Sequence, residues 1–130
     1  ECSVLDPGLT VFEQTERFNA SHLAEHELKS ILNRCLFPYE TWDKPCFCLS
    51  GGEKIRLLFC CLMIGNNAPD VFILDEPTNN LDIQSVEIIT AAIKSYRGTV
   101  LLISHDHYFV KEIKINRSIK LFDTGSVIKI

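Results

Sequence analysis

The chain has 130 residues and a formal net charge of −4, and 46% of its residues are hydrophobic and 23% are charged. This length suits one domain with one core, and this composition is ordinary for a globular protein. The charge excludes a global basic field of the kind that binds nucleic acid. No apolar run approaches a membrane span, and no signal-peptide pattern stands at the start.

Six cysteines are present, and none of them forms a C-x-x-C pair. Cys60 and Cys61 are neighbours inside a helical pattern, which is a poor geometry for a structural disulfide. We therefore predict that the cysteines are buried free thiols and that the protein is cytoplasmic.

Two helices are predicted in the first part of the chain. Thr10 and Glu13 match a capping box, which predicts a short helix from Val11. A second helix is predicted from about Ser21 to Cys35, because apolar residues recur there at helical spacing. These residues are Leu28, Ile31, Leu32 and Cys35.

The second helix contains a pattern that is typical of zinc proteases. Residues 22–26, HLAEH, match H-x-x-E-H. Two histidines four residues apart share a helix face and can bind one metal ion, with the glutamate as a base. A catalytic zinc site also needs a third protein ligand, and the sequence indicates none. We interpret the pattern as a polar helix face and keep a zinc hydrolase as the last alternative.

A Ser-Gly-Gly turn precedes the strongest predicted helix. The turn lies in Leu49–Lys54, LSGGEK, and Gly65 is predicted to end the helix. The apolar face predicted for this helix consists of Ile55, Leu58, Phe59, Leu62 and Met63. The backbone N–H groups of such a turn lie beside the positive end of the helix dipole and form an anion site suited to phosphate. A plain helix N-cap at Ser50 is the alternative.

Four apolar residues and two carboxylates follow in the segment Val71–Glu76, VFILDE. An apolar run of this length that ends before Pro77 predicts a strand buried on both faces. Asp75 and Glu76 then lie at the carboxyl end of the strand, where open parallel sheets bind their ligands. Two adjacent acids there suit a metal-nucleotide. One can hold Mg²⁺, and the other can take a proton from an attacking water.

Helices and strands alternate through the rest of the chain. Asp82 is predicted to cap a helix, and Thr99–Ile103 is predicted to be a second buried strand with His105 just beyond its end. A short helix over Tyr108–Ile113 and a hairpin with strands over residues 119–123 and 127–130, around Thr124-Gly125, complete the chain. This order predicts an α/β fold with a parallel sheet.

Three motifs, in this order, resemble the nucleotide-binding domain of ABC ATPases. LSGGEK resembles the signature motif, VFILDE resembles Walker B, the segment Asn79–Asp82 (NNLD) resembles the D-loop, and His105 resembles the switch histidine. The details Glu53-Lys54, EPTNNLD and SHDHYF are similar to the ABC-F branch. That branch consists of soluble proteins that carry two such domains in one chain and act on ribosomes, and some of them confer antibiotic resistance.

The resemblance implies an incomplete P-loop NTPase domain of the ABC type. It has a parallel sheet core and a partial α-helical subdomain. Residues 1–48 would be part of the helical subdomain, and residues 49–130 would be the C-terminal half of the ATPase core. The implied ligands are ATP and Mg²⁺, and the implied activity of the full-length protein is ATP hydrolysis.

The resemblance also implies a role for each motif residue. Asp75 would hold Mg²⁺ through water, Glu76 would orient and deprotonate the attacking water, and His105 would contact the γ-phosphate. Leu81 and Asp82 of the D-loop would help to join two ATP sites. The residues that would bind, in trans, an ATP molecule held by a second ABC domain are Ser50, Gly51, Gly52 and Glu53.

The phosphate-binding loop of this family is missing from the sequence. Walker A needs G-x-x-x-x-G-K-[ST], and no glycine here is followed by lysine. We therefore expect the C-terminal part of one ABC domain, inactive by itself. In the family the Walker A strand lies between the strand before His105 and the strand near Leu121. Its loss would leave unpaired edges that favour self-association.

Two further functions stay open beside the ABC-F interpretation. One is the ATP-binding subunit of an ABC transporter, and the other is a non-catalytic interaction half-domain. The ABC-F interpretation implies two partners for the full-length protein, namely a second ABC domain in the same or another chain and the ribosome.

Overall fold

The computed structural model describes residues 4–65, 70–121 and 127–129. Its helices and strands are, in chain order, α1 (Val11–Phe18), α2 (Glu25–Arg34), α3 (Gly51–Ile64), β1 (Val71–Asp75), α4 (Ile83–Ser95), β2 (Thr99–Ile103), α5 (His107–Glu112), β3 (Ile119–Leu121) and β4 (Val127–Lys129). Two short 3-10 turns, Tyr39–Thr41 and Cys46–Cys48, connect α2 to α3. The predicted α/β class is confirmed.

The start of α1 follows directly from its sequence. The Thr10 hydroxyl accepts a hydrogen bond from the Glu13 N–H at 3.2 Å, and the Glu13 carboxylate accepts one from the Thr10 N–H at 2.8 Å. This is the predicted capping box, which satisfies two backbone donors at the helix start. The helix therefore begins at Val11, whose side chain is fully buried.

Helix α2 begins at Glu25, so the predicted start at Ser21 is wrong. The Asn19 side chain accepts a hydrogen bond from the Leu23 N–H and donates one to the Leu23 carbonyl, both at 2.8 Å. These bonds compete with a helix, and His22 lies in the left-handed region with φ of 53°. His22 and His26 therefore do not share a helix face. No group of three or more potential metal-ligating side chains occurs in the described ranges, so the described residues provide no support for a zinc site at this pattern.

Helix α3 is shared by two hydrophobic clusters. The larger cluster packs α1, α2 and the turns after α2 against α3, and the smaller one joins α3 to α4, α5 and the first sheet. The predicted apolar face is right for Leu58 and Phe59 but wrong for Met63, which is 43% exposed. Leu57 and Ile64 are also buried, because an apolar helix between two clusters buries more than one stripe.

The cysteine prediction holds for most of the thiols. The described cysteines are all free, and Cys35, Cys46, Cys60 and Cys61 are buried. Cys48 is exposed, which corrects the prediction there. It lies in the turn just before α3, where the chain runs over the surface. Cys2 lies outside the described residues.

Strands β1 and β2 pair in parallel, with Val71 opposite Thr99 and Asp75 opposite Ile103. The prediction that these strands are buried on both faces is wrong. Side chains of one face, those of Val71, Ile73, Leu101 and Ile103, are between 48% and 66% exposed. The smaller cluster packs only against the opposite face, where it contacts Leu74 and Leu102. We call the open side the exposed sheet face.

The terminal hairpin forms a separate sheet. β3 and β4 are antiparallel, with Ile119 opposite Lys129. The predicted strands are confirmed over Ile119–Leu121 and Val127–Lys129, and the rest of both predictions, with the predicted turn at Thr124-Gly125, lies outside the described residues. Within the described residues β1 and β2 pair only with each other, so both have an unpaired edge. No described helix is long and apolar enough to cross a bilayer.

We predict that the chain self-associates at high concentration through the unpaired edges and the exposed sheet face, because both can bury surface against a second copy. Ile73→Lys places a charge on this face and is expected to shift the sedimentation coefficient toward that of the monomer. Ile115→Lys, at an exposed apolar side chain outside the sheet, is the control. A monomeric profile of the unsubstituted chain at high concentration would contradict the prediction.

Candidate functional site

Glu76 is held by the sheet in an uncommon backbone conformation. Its φ is 47°, in the left-handed region, which costs a residue other than glycine about 1–3 kcal/mol. The Glu76 N–H donates a hydrogen bond to the Ile103 carbonyl at 2.8 Å, and the next residue, Pro77, is buried. Pairing with β2 therefore determines where the Glu76 carboxylate lies.

His105 lies against this carboxylate. Its Nδ1 is 2.7 Å from Glu76 Oε1, and its side chain is 77% exposed whereas that of Glu76 is 27% exposed. The hydrogen bond and the negative charge of Glu76 raise the pKa of His105 above its ordinary value. The Glu76–His105 pair therefore joins the ends of β1 and β2, as the sequence predicted for the carboxyl edge of a parallel sheet.

The turn around His105 is fixed by its neighbours. The Ser104 hydroxyl accepts a hydrogen bond from the Asp106 N–H at 3.1 Å, and the Asp106 carboxylate caps α5 by accepting from the Phe109 N–H at 3.0 Å. Phe109 is fully buried. These contacts anchor the backbone on either side of His105 while its ring projects into solvent.

The carboxylates of Asp75 and Glu76 fit a magnesium-nucleotide. Mg²⁺ prefers carboxylate oxygens and is commonly held by one or two of them together with phosphates. Asp75 is exposed at the carboxyl edge of the sheet. Glu76 Oε2 is a buried oxygen without a hydrogen-bond partner. Asp75 thus provides an accessible ligand, and Glu76 provides a hydrogen-bond acceptor that has no partner.

The signature segment (Leu49–Lys54) opens α3 through a second capping box. The Ser50 hydroxyl accepts from the Glu53 N–H at 3.2 Å, and the Glu53 carboxylate accepts from the Ser50 N–H at 2.7 Å. The amides of Gly51 and Gly52 are the first two of the helix and have no acceptor within it. Both interpretations of the turn, a plain helix N-cap and an anion site, are therefore compatible with the geometry.

The D-loop (Asn79–Asp82) lies beside the signature segment. An open groove of about 520 Å³ is lined by both segments. A Cβ atom added to Gly52 would lie 2.7 Å from Leu81 Cδ2, so a larger residue there would require the Leu81 side chain to move. Asp82 caps α4 by accepting from the Ser85 N–H at 2.8 Å. Hydrogen bonds from the backbone and then the hydroxyl of Ser85 lower the pKa of Asp82.

Sequence reasoning missed Arg56, which connects these two segments. Its Nη1 donates a hydrogen bond to the Ser85 hydroxyl at 3.0 Å. The available signal was a charged residue within the apolar pattern of α3, one turn after the signature segment. Such a residue is rarely buried without a partner.

The predicted site residues thus form two groups. One consists of Asp75, Glu76 and His105, and the other consists of the signature segment and the D-loop. A backbone hydrogen bond joins the two groups, because the Asn79 N–H of the D-loop donates to the Glu76 carbonyl at 3.1 Å.

Comparison with known proteins identifies the family of this arrangement. A family model described as ABC transporter matches residues 1–79. ABC transporter F family member 2 of Arabidopsis thaliana is 46% identical over 99 residues, covering 76% of this chain and 14% of the relative. F family member 5 of the same plant is 43% identical over 123 residues, covering 95% of this chain and 17% of the relative. The chain thus spans less than a fifth of the length of these relatives.

Two solved structures have the same fold. The complex of an archaeal ribosomal stalk protein and an archaeal ribosome recycling factor gives a TM-score of 0.65 at 23% identity, covering 88% of this chain and 22% of the matched chain. A dimeric bacterial ABC transporter cassette gives a TM-score of 0.61 at 22% identity, covering 83% and 51%. With the family match over residues 1–79 and these F-family relatives, the chain belongs to the ABC ATPase family, in its ABC-F branch.

Proposed function

We propose that the chain is the C-terminal part of an ATP-binding and ATP-hydrolysing domain of an ABC-F protein. The observation that carries this proposal is the Glu76–His105 pair beside Asp75 at the carboxyl edge of the parallel sheet. A general base, an imidazole and a second carboxylate just beyond two strand ends are groups that can take part in phosphoanhydride hydrolysis.

Glu76 is the base in this proposal. Its Oε1 contacts His105, whereas its Oε2 is free of partners but buried. A water that is to lose its proton to Oε2 must therefore reach an oxygen that the surrounding chain covers. His105, whose side chain is largely exposed, would stabilise charge on the γ-phosphate.

Asp75 would hold Mg²⁺ through water in the same site. When bound, the ion would neutralise charge on the phosphate oxygens. The exposure of Asp75 and the carboxylate donor set support this assignment. We assign different roles to Glu76 and Asp75, because the Glu76 carboxylate contacts His105 whereas the Asp75 side chain is exposed to solvent.

The second group would act on a different ATP molecule. The free amides of Gly51 and Gly52 suit the γ-phosphate of a nucleotide that another ABC domain holds. Ser50 and Glu53 keep this turn in place through their capping box. Leu81 and Asp82 lie next to it and would contact the partner domain. The dimeric cassette among the structural neighbours supports such pairing of two ABC domains.

The organisation of the chain follows from this assignment. Residues 1–48 would be part of the helical subdomain, and residues 49–130 would be the C-terminal half of the ATPase core. The position of α3, which contributes to both hydrophobic clusters, supports one continuous folding unit across this boundary. The free thiols of the described cysteines support a reducing cytoplasm.

The ribosome is the proposed partner of the complete protein. Membership of the ABC-F branch and the structural neighbour that is an archaeal ribosome recycling factor fit this proposal. We expect a complete ABC-F protein carrying this chain to sediment with ribosomes in the presence of ATP. Unchanged sedimentation when ribosomes are added would contradict it.

Replacing Glu76 tests the catalytic assignment. In the complete protein, Glu76→Gln is expected to lower ATP turnover by about 10²–10⁴, the usual contribution of a positioned base. ATP binding should persist, because the amide preserves the shape of the side chain. Glu112→Gln, which removes an exposed carboxylate paired with Lys94, is the matched control and should leave turnover unchanged.

The isolated 130-residue chain should not turn over ATP. It lacks the lysine and the N–H cradle that bind the β- and γ-phosphates. A phosphate-release assay on the purified chain measures this directly. Sustained turnover that Glu76→Gln abolishes would show that the chain is sufficient and would overturn this prediction.

The Glu76–His105 contact predicts a measurable titration. Because Glu76 raises the pKa of His105, the pair is complete when His105 is protonated, and it weakens as the pH rises through that pKa. NMR titration of the His105 ring should give a lower pKa in Glu76→Gln than in the unsubstituted chain. The Glu112→Gln control should not change it. Equal His105 pKa values in all three proteins would refute the contact.

A further inference from the structure

We propose that Arg56 and Ser85 are positioning residues that couple the signature segment to the D-loop, so that both segments meet the partner domain's ATP as one rigid body. This inference rests on the proposed function, in which the two segments act on the same nucleotide.

The coupling is a chain of three side chains from two helices. Arg56 on α3 donates from Nη1 to the Ser85 hydroxyl at 3.0 Å, and that hydroxyl donates to Asp82 Oδ2 at 2.9 Å. Arginine can only donate, so the hydroxyl must accept from Arg56 and direct its own proton to Asp82. Ser85 is 1% exposed, so water does not compete for these bonds.

Arg56 is held in place by its surroundings. Its guanidinium lies over the Phe37 ring, 5.2 Å from the centroid, and Phe37 is buried. The Phe37 carbonyl in turn accepts a hydrogen bond from Trp42 Nε1 at 2.8 Å. Stacking on an anchored ring restricts the long side chain, so the Arg56–Ser85 contact has a defined direction.

The buried Nε of Arg56 has no hydrogen-bond partner. A buried donor without an acceptor is costly, and an apolar side chain of similar length would avoid this cost. The arginine is therefore a poor choice for packing alone. Its one specific contact across the α3–α4 interface is the hydrogen bond to Ser85.

A second contact of a different kind connects the same two segments. Leu81 of the D-loop fills the space that a side chain on Gly52 would occupy. This contact packs the two segments against each other, and the Arg56–Ser85–Asp82 bonds orient the D-loop. With both constraints, movement of one segment is transmitted to the other.

The consequence is kinetic. The γ-phosphate contacts of the signature segment are useful only when the D-loop places the two domains correctly, and a misplacement of about 1 Å can cost about 10²-fold in rate. Loss of the Arg56 contact should therefore lower kcat far more than it weakens the binding of ATP, which another part of the protein holds.

The coupling can be measured first in the 130-residue chain by NMR. Ser85→Ala keeps the backbone cap on Asp82 but removes the hydroxyl, and it should shift the amide signals of Gly51 and Gly52. Arg56→Gln should shift those of Leu81 and Asp82. Arg17→Gln, which breaks an exposed ion pair with Asp6, should shift neither set. Shifts confined to the substituted helix in both variants would overturn the inference.

ATP turnover of the complete protein provides the second readout. Arg56→Gln and Ser85→Ala should each reduce kcat by about tenfold or more with little change in KM, and the double variant should lose little further activity because both act through one chain of bonds. Arg56→Lys, which keeps a donor, should recover part of the rate. Additive losses, or an unchanged kcat in Arg56→Gln, would contradict the coupling. An inactive unsubstituted protein would instead contradict the proposed function, and the NMR arm would still decide the coupling.

Discussion

The parallel pairing of β1 with β2 is the constraint on which the group of Asp75, Glu76 and His105 depends. Because parallel strands end at the same edge, the residues that follow them are adjacent although they are far apart in sequence. The register places Asp75 opposite Ile103, and the Glu76 N–H bonds the Ile103 carbonyl. A shift of this register by one residue would turn every side chain to the other face. The distance of 2.7 Å between Glu76 Oε1 and His105 Nδ1 thus depends first on the register of the sheet and only then on the conformations of the two side chains.

Helix α3 has the corresponding role for the signature segment. Its first turn carries the amides proposed to bind phosphate, and its remaining turns pack against two hydrophobic clusters. A helix anchored on two sides cannot rotate to expose a different face without losing one cluster. The direction of the Gly51 and Gly52 amides is therefore set by apolar residues such as Leu57 and Phe59, which contact no ligand in the proposed mechanism.

Sequence reasoning succeeded where a short-range rule decides the outcome. The capping box at Thr10, the helix start after Ser50, the strand before Asp75 and the position of His105 all follow from local patterns. It failed where a distant contact decides. The helices cover one face of the β1–β2 sheet, and Arg56 bonds Ser85, which lies 29 positions further along the chain. Single-sequence patterns contain no information about these partners, because spacing along a chain does not specify which elements meet.

The two functional groups of the chain differ in what they lack. The Glu76 group has its proposed base and its imidazole in contact, but the sequence lacks the Walker A lysine that would hold the phosphates at this edge. The signature group has free helix-terminal amides but no base. In the proposed function these are complementary deficits, because each group serves a different ATP molecule and each ATP molecule needs groups from two domains. Activity would then depend on closure of the two domains. The rigid connection of the signature segment to the D-loop would determine how closure around one ATP molecule changes the geometry around the other. This makes the α3–α4 contact through Arg56, rather than either catalytic residue, the place where the chain would communicate between sites.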